Sequence, residues 1–237
     1  GAGAEVLERA GAWCMFDGVD SPLSQTFGLG LFETATDEDL DAIESFFRER
    51  GAAIHHEICP LSGVELTGRL VERGYRPVEM STALFRPLEP GLRLAGSRNP
   101  KIVVREIGDD EGEVWAQTAA EGWSDFGDML ELMKQVAQIN LRREDASLFL
   151  AELDGQAIGA AGMIGRQDAA LLAGASTVAA YRRQGCQLAL LEARMRAAAD
   201  AGLRLCTMAA EPGSGSQRNA ERHGFRVAYT RTKWRLA

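Results

Sequence analysis

The segment Leu172–Met195 combines the residue types that bind an anion. A strand-like apolar run ends at Val178, Arg182-Arg183-Gln184-Gly185-Cys186-Gln187 follows, and an amphipathic helix comes next. The first N–H groups of a helix have no acceptor inside it, and the helix dipole adds about half a positive charge there. Glycine lets the backbone approach a phosphate, and adjacent arginines add forked cationic donors. The segment therefore predicts a pyrophosphate site. Because it contains neither GxxxxGK[ST] nor GxGxxG, nucleoside triphosphates and dinucleotides are poor fits.

The net charge of −8 is unevenly distributed along the 237 residues. From Tyr181 onward the chain carries 11 basic and 4 acidic side chains, a local net charge of +7. The negative net charge disfavours nucleic acid as a partner, and the basic C-terminal part favours a local anionic ligand. The alternative is an arginine-rich helix face that contacts only solvent.

Neither a membrane span nor a signal peptide is expected, because no apolar stretch reaches 18 residues and no basic and apolar leader opens the chain. The cysteines lack CxxC spacing and are expected to be reduced thiols of a cytoplasmic protein: Cys14, Cys59, Cys186 and Cys206. His55 and His56 are adjacent in a predicted strand and would point to opposite faces, so no metal site is expected.

The proline- and glycine-containing segment 90–100 predicts a linker between a domain at 1–89 and a domain at 101–237. The larger domain is predicted to begin with a strand and two helices, followed by a strand hairpin around Asp154-Gly155 and a third strand. After the arginine loop come a helix, a strand, a short helix ending at Gly224 and a final strand. This alternation is typical of an α/β fold.

An internal repeat relates the two domains. RGYRPVEMSTALFRPL, from Arg73, matches HGFRVAYTRTKWRLA, from His223, at a constant offset of 150 residues. The match predicts that the first domain repeats the last five elements of the second, as Thr26–Glu33, Asp37–Arg50, Ala52–Cys59, Val64–Arg73 and Tyr75–Phe85. Where the second domain has its arginine loop, the first reads FETATDEDLDA, whose acidic side chains would repel a pyrophosphate. We therefore expect one anion site in the chain.

The arginine loop and the later Gly224-Phe225 resemble the GNAT superfamily of N-acetyltransferases, whose CoA loop reads [Q/R]-x-x-G-x-[G/A]. Arg182 and Gly185 match that pattern, and Gln187 departs from the usual Gly or Ala while keeping its backbone N–H. The resemblance implies an α/β (α+β) fold with a mixed, mostly antiparallel sheet flanked by helices. It also implies that residues 1–89 are a smaller, degenerate half-copy of that fold.

The resemblance further implies acetyl-CoA as co-substrate. In the family, backbone N–H groups at a distortion of the fourth strand meet the acyl carbonyl, the loop N–H groups bind pyrophosphate, and the last helix reaches the pantetheine arm. The residues expected to bind acetyl-CoA are Ser176, Thr177, Val178, Arg182, Arg183, Gln184, Gly185, Cys186, Gln187, Leu188, Ser216 and Asn219.

The general base and acid are less determined. Glu211 ends the strand after the CoA helix and is the first candidate base, and Glu152 is the second; for each the alternative is a solvated surface carboxylate. Many family members place a tyrosine acid five residues before the Phe of Gly-Phe, a position that Ala220 occupies here. Ser216, expected to be a helix N-cap, and Tyr229 are the other candidates for the acid, together with water.

The acceptor cleft of the family is lined by the loop between the first two helices, which here contains Glu121, Trp123 and Asp125. The expected function is acyl transfer from acetyl-CoA to a primary amine, of a small molecule or a peptide, by direct attack on the thioester. The alternative is a non-catalytic acyl-CoA-binding or regulatory module. Sequence alone does not determine the acceptor, the acyl chain or the oligomeric state.

Overall fold

The computed structural model describes residues 4–89, 92, 94, 99–126 and 129–237, so most of the predicted linker lies outside the described residues. The chain forms two compact units, each built from separate stretches of sequence. The first comprises Gly1–Ala83, Ala210–Gln217 and Val227–Ala237, and the second comprises Leu84–Ala209 and Arg218–Arg226. Among the described helices, none combines the length and apolar character needed to cross a bilayer.

Strands and helices follow one another in the order that the periodicity of the sequence predicts for most of the chain. The strands are β1 (Glu5–Arg9), β2 (Ala12–Phe16), β3 (Gln25–Phe27), β4 (His55–Ile58), β5 (Tyr75–Pro87), β6 (Ile102–Glu106), β7 (Ala146–Leu153), β8 (Gln156–Arg166), β9 (Ala169–Thr177), β10 (Leu205–Ala210) and β11 (Arg226–Leu236). The helices are α1 (Asp37–Arg48), α2 (Val64–Glu72), α3 (Gly112–Glu121), α4 (Met129–Asn140), α5 (Cys186–Asp200) and α6 (Gly215–Arg222).

In the first unit the strands lie in the order β1-β2-β3-β4-β11, followed by the first part of β5. β3 and β4 are parallel, whereas β1–β2, β2–β3 and β4–β11 are antiparallel pairs. The amphipathic helix α1 buries Leu40, Ile43 and Phe47 in a core that also holds Leu29 and Leu70.

In the second unit the end of β5 neighbours β10, and the order continues as β9-β8-β7-β6. β9 and β10 are parallel, whereas β6–β7, β7–β8 and β8–β9 are antiparallel. Trp115 and Ala119 of α3 pack on Leu148 and Leu150 of β7 and Ala160 of β8. The mixed, mostly antiparallel sheet with flanking helices confirms the predicted fold class.

The N-terminal region differs from the sequence prediction in two respects. The strand predicted at Thr26–Glu33 is only three residues long, because the chain turns at Gly28 (φ +80°) and Gly30 (φ +75°). The hairpin β1–β2 was missed, since its turn is Ala10-Gly11, with φ of 49° and 67°, rather than an Asn-Gly or Asp-Gly pair. This hairpin adds an antiparallel edge to β3.

The structure confirms the internal repeat and shows how its last strands are arranged. Adding 150 to the numbers of α1, β4, α2 and β5 gives 187–198, 205–208, 214–222 and 225–237, which coincide closely with α5, β10, α6 and β11. Yet β4 pairs with β11, through Thr232↔Ile58 to Arg235↔His55, and β10 neighbours β5. The final strand of each half, β5 or β11, therefore lies beside a strand of the other half, β10 or β4.

A hydrogen-bonded polar network is buried in the first unit behind α1. The Tyr75 hydroxyl donates to Glu44 Oε1 (3.2 Å) and lies 2.9 Å from His56 Nε2. Glu44 also accepts from Arg73 (3.1 Å) and Arg48 (2.7 Å). Burial lowers the pKa of His56 to about 3, so its ring is neutral at pH 7. The hydroxyl of Tyr75 thus connects a neutral imidazole to a buried carboxylate.

Replacing Tyr75→Phe should lower the free energy of unfolding by about 1–3 kcal/mol, because it leaves His56 and Glu44 with one buried partner fewer each. Urea denaturation measures this. The matched control is Tyr181→Phe, whose hydroxyl bonds to the exposed Gln156 at 2.6 Å and whose loss should cost at most about 0.5 kcal/mol. Equal effects of the two substitutions would contradict a structural role for the network.

Candidate functional site

The strand β9 leaves its neighbour β10 partway along its length. The parallel pairing runs from Leu205↔Ala169 to Thr207↔Leu171, and β9 then continues to Thr177. Two parallel strands that part in this way expose backbone groups of both along the gap between them. The predicted anion loop follows directly after the half of β9 that pairs with β8 but not with β10.

A β-bulge lies in the same half of β9. Its register with β8 changes from Gly162↔Ala173 to Ala160↔Ser176, so Gly174 and Ala175 together oppose Ala161. Gly174 has φ +62°, which favours glycine. The distortion predicted around Ser176–Val178 thus begins slightly earlier in the strand.

Side chains from both faces of the sheet bind the backbone at this bulge. The Trp115 indole of α3 donates to Phe149 O (3.1 Å) and Ala161 O (3.3 Å). On α5, the Arg194 guanidinium donates to Gly162 O (3.1 Å) and Ala173 O (3.3 Å). Sequence reasoning missed both residues. For Arg194, the signal in the sequence was a charged residue next to Met195, among the apolar residues of α5.

The loop after β9 turns its backbone toward the start of α5. Val178 N–H donates to Ile158 O (3.0 Å), a short 3-10 turn follows, and Arg183 and Gly185 adopt φ of 65° and 95°. The first bond of α5 is from Ala189 N–H to Gly185 O (3.0 Å). The N–H groups of residues 186–188 consequently have no acceptor within the helix, which is the arrangement that binds phosphate.

The two arginines of the loop differ in what they contact. Arg182 donates to Thr177 O (3.4 Å) and Gly122 O (3.1 Å) and forms an ion pair with Asp125. Arg183 is exposed and has no ion pair with any residue that the structure describes. Arg182 therefore joins the loop to the end of α3, whereas the charge of Arg183 is available to a ligand. Asp125, expected from the sequence to lie in the loop that lines the acceptor cleft, already has a cationic partner.

Small residues bring the strand, the loop and α3 together. A Cβ on Gly122 would lie 2.4 Å from Ser176 Cβ, and one on Gly159 would lie 2.5 Å from Cys186 Sγ. Ser176 Oγ donates to Ala119 O (2.9 Å). Burial raises the pKa of Cys186, so its thiol packs rather than acting as a thiolate.

Gln187, the departure from the family pattern, has its side chain held by Thr177: the amide donates to Thr177 Oγ1 at 2.9 Å. Gln184 is exposed, and Leu188 is 8% exposed. The backbone N–H of Gln187 belongs to the unbonded first turn of α5, so the larger side chain leaves that donor in place.

Glu152 is held in an ion-pair cluster. Its carboxylate accepts from Arg105 (2.6 Å), which also forms two 2.5 Å hydrogen bonds with Glu111. These bonds raise the pKa of Arg105 and lower that of Glu111. The carboxylate of Glu152 is therefore already engaged by a cation. Glu211, by contrast, is exposed and directly follows β10.

The prediction that Ser216 caps α6 was wrong. The helix begins at Gly215, and Ser214 Oγ accepts from Gln217 N–H at 3.2 Å. Ser216 is exposed, Asn219 is half-buried, and the carbonyl of Asn219 bonds to His223 Nδ1 (2.6 Å).

At the position of the family's tyrosine acid, the side chain of Ala220 is fully buried. Tyr229 lies in the first unit, where burial raises the pKa of its phenol. Glu121 is exposed and accepts from Gln117 at 2.8 Å, and Trp123 is half-buried next to it.

The equivalent helix start in the first unit is closed. Thr36 Oγ1 accepts from Asp39 N–H (3.2 Å), and Asp39 accepts from Thr36 N–H (2.9 Å), which is a capping box. These hydrogen bonds lower the pKa of Asp39, so a carboxylate stands where a phosphate would bind. The start of α1 is therefore not open to an anion.

Comparison with family models gives no match, and no curated protein matches by sequence. The structure is similar to a GCN5-related N-acetyltransferase from Kribbella flavida, with 19% identity over 98% of this chain and 89% of that one and a TM-score of 0.75. A second one, from Sphaerobacter thermophilus, is 18% identical over 98% of this chain and 75% of that one, with a TM-score of 0.65. A tandem GNAT protein from the clavulanic acid biosynthesis pathway is 15% identical over 95% of this chain and 82% of that one, with a TM-score of 0.64. The chain therefore has the GNAT fold.

Replacing Arg183→Glu should weaken CoA binding at least about tenfold, or roughly 1.4 kcal/mol, because it puts a negative charge at the start of α5. Titration calorimetry measures the dissociation constant. Arg196→Glu, an equal charge change at an exposed position later in α5, is the control and should leave it within about twofold. Unchanged affinity in Arg183→Glu would contradict the assignment of the loop.

Proposed function

We propose that this chain is an acetyl-CoA-dependent N-acyltransferase that transfers an acyl group to a primary amine of a small molecule or a peptide. The observation that carries the proposal is the parting of β9 from β10 next to the open N-terminus of α5. In the GNAT fold this gap is where the thioester lies. The basic, exposed Arg183 and the glycine at 185 fit a pyrophosphate at the loop.

Acetyl-CoA supplies an activated acyl group: a C–N bond forms to the amine, the C–S bond breaks, and CoA leaves as the thiol. The N–H groups at 183–188 would bind its pyrophosphate, and the backbone of 176–177 would face the acyl carbonyl, where negative charge develops. The N–H of Val178 is already bonded to Ile158 O, so Val178 is not proposed as a donor. Asn219 and Ser216 of α6 would contact the pantetheine arm. The pyrophosphate would bind mainly to backbone N–H groups. The side chain of Gln187 does not block them, because it is held by Thr177.

Glu211 is the proposed base, which takes the proton that the attacking amine loses. It is preferred to Glu152 because the carboxylate of Glu152 is engaged by Arg105. With Ala220 in place of a tyrosine, we assign protonation of the leaving thiolate to water. Glu121 and Trp123 are proposed to line the acceptor side, and Asp125 to act through its ion pair with Arg182.

The second candidate is a non-catalytic acyl-CoA-binding module. It is favoured by the absence of a hydroxyl at position 220 and by the ion-paired state of Glu152. The two functions share the CoA site and differ only in turnover.

The deciding experiment has two stages. Calorimetry with acetyl-CoA should give one site per chain, and thermal unfolding should shift upward with acetyl-CoA but not with ATP or NAD. Thiol release is then followed with a panel of primary amines. Release that depends on an amine establishes the enzyme, binding without release favours the module, and absence of binding contradicts both.

In the active protein, Glu211→Gln should lower kcat about 100-fold and leave the KM for acetyl-CoA nearly unchanged, because it removes only the proton acceptor. Steady-state kinetics measures both. The control is Glu72→Gln, an exposed carboxylate of α2, which should change neither constant. A loss of activity in Glu152→Gln with none in Glu211→Gln would move the base to Glu152.

A further inference from the structure

Arg194 is buried in the apolar face of α5, where its side chain is only 3% exposed. The Nε atom donates to Leu190 O (3.0 Å), and Nη1 donates to Gly162 O (3.1 Å) and Ala173 O (3.3 Å). Among the residues that the structure describes, no carboxylate pairs with it. All its acceptors are backbone carbonyls, and two of them lie in the sheet.

Such a placement is costly. Taking a guanidinium out of water without a counter-ion carries a large desolvation cost, and an apolar side chain of similar volume would fill the same space without that cost. Burial lowers the pKa of Arg194 only to about 10, so it stays charged at neutral pH. Packing of α5 on the sheet therefore does not account for an arginine here.

The carbonyls that Arg194 binds lie where β9 changes course. Gly162 and Ala173 are register partners immediately before the bulge at Gly174 and Ala175. Ala173 is also two residues beyond Leu171, the last residue of β9 that pairs with β10. The guanidinium thus holds β9 at the point where it parts from its neighbour.

The internal repeat offers a comparison at the same helix position. Subtracting 150 from 194 gives Glu44, which is also buried, in α1. Glu44 bonds to side chains, those of Tyr75, Arg73 and Arg48, whereas Arg194 bonds to the backbone of the sheet. The buried cation, Arg194, therefore lies in the half of the repeat whose helix, α5, starts without a side-chain cap.

We propose that Arg194 is a positioning residue for acyl transfer, an inference that rests on the proposed function. By bonding to Gly162 O and Ala173 O it fixes the bulge, and so the backbone N–H groups that follow it in β9. Its charge also favours the negative charge that develops at the acyl oxygen next to that backbone, in surroundings of low dielectric constant.

Three variants of the full chain test this: Arg194→Met, Arg194→Lys and, as control, Arg196→Met, which removes an exposed arginine from the same helix. The measurements are thermal unfolding, the dissociation constant of CoA, kcat and KM, and hydrogen exchange of peptides that cover 169–178. Exchange reports the backbone of β9 independently of activity.

Arg194→Met should fold, bind CoA within about threefold of the unchanged protein, exchange faster at 173–177 and lose at least about tenfold in kcat at constant KM. Arg194→Lys keeps a positive charge but loses the forked N–H donors of the guanidinium, and its kcat should fall less than that of Arg194→Met. Arg196→Met should match the unchanged protein in every readout.

Several results would overturn the proposal. One is an Arg194→Met protein with kcat within twofold and unchanged exchange at 173–177. Another is an Arg194→Met protein that does not fold, combined with an Arg194→Lys protein that either retains full kcat or does not fold. If the unchanged protein binds CoA but transfers no acyl group, the proposed function fails, and the exchange measurement still decides whether Arg194 holds the bulge.

Discussion

A strand that leaves its neighbour inside a sheet exposes backbone N–H and C=O groups, and each of them needs another partner. β9 does this after Leu171, and the structure around it supplies the partners. Arg194 of α5 binds the carbonyl of Ala173 in β9, and Trp115 of α3 binds that of Ala161, the β8 residue opposite the bulge. The donors that remain in the loop and in the first turn of α5 are those left for a ligand.

Close packing then fixes the position of the loop relative to this strand. Gly122 lets the end of α3 approach Ser176, and Gly159 lets the Cys186 thiol approach β8, more closely than any side chain at those positions would permit. Arg182 closes the arrangement by bonding to Thr177 O and Gly122 O and pairing with Asp125. Arg182, which matches the CoA-loop motif, thus holds the loop against β9 and the end of α3.

The two halves of the repeat show how one arrangement of elements supports different chemistry. In both halves a strand is followed by a helix and then by a second strand parallel to the first, and the matching elements are 150 residues apart. In the first half Thr36 and Asp39 bond to the donors at the helix start, and Glu44 organises a network of side chains behind it. In the second, Gly185 precedes a first turn without a cap, and Arg194 occupies the place of Glu44. Local side chains decide which helix start can accept an anion.

The sequence by itself determined most of the order of elements, the repeat and the candidate loop between β9 and α5, because periodicity, turn-forming glycines and charge runs are local properties. It misjudged the β1–β2 hairpin and the cap of α6, where other residues supply the turn and the hydroxyl. Only the tertiary structure decided that the final strands are exchanged, that Glu152 is engaged by Arg105 and that Arg194 binds the bulge. These features depend on contacts between residues far apart in the chain, and no local pattern records which distant partner a strand or a charge will meet.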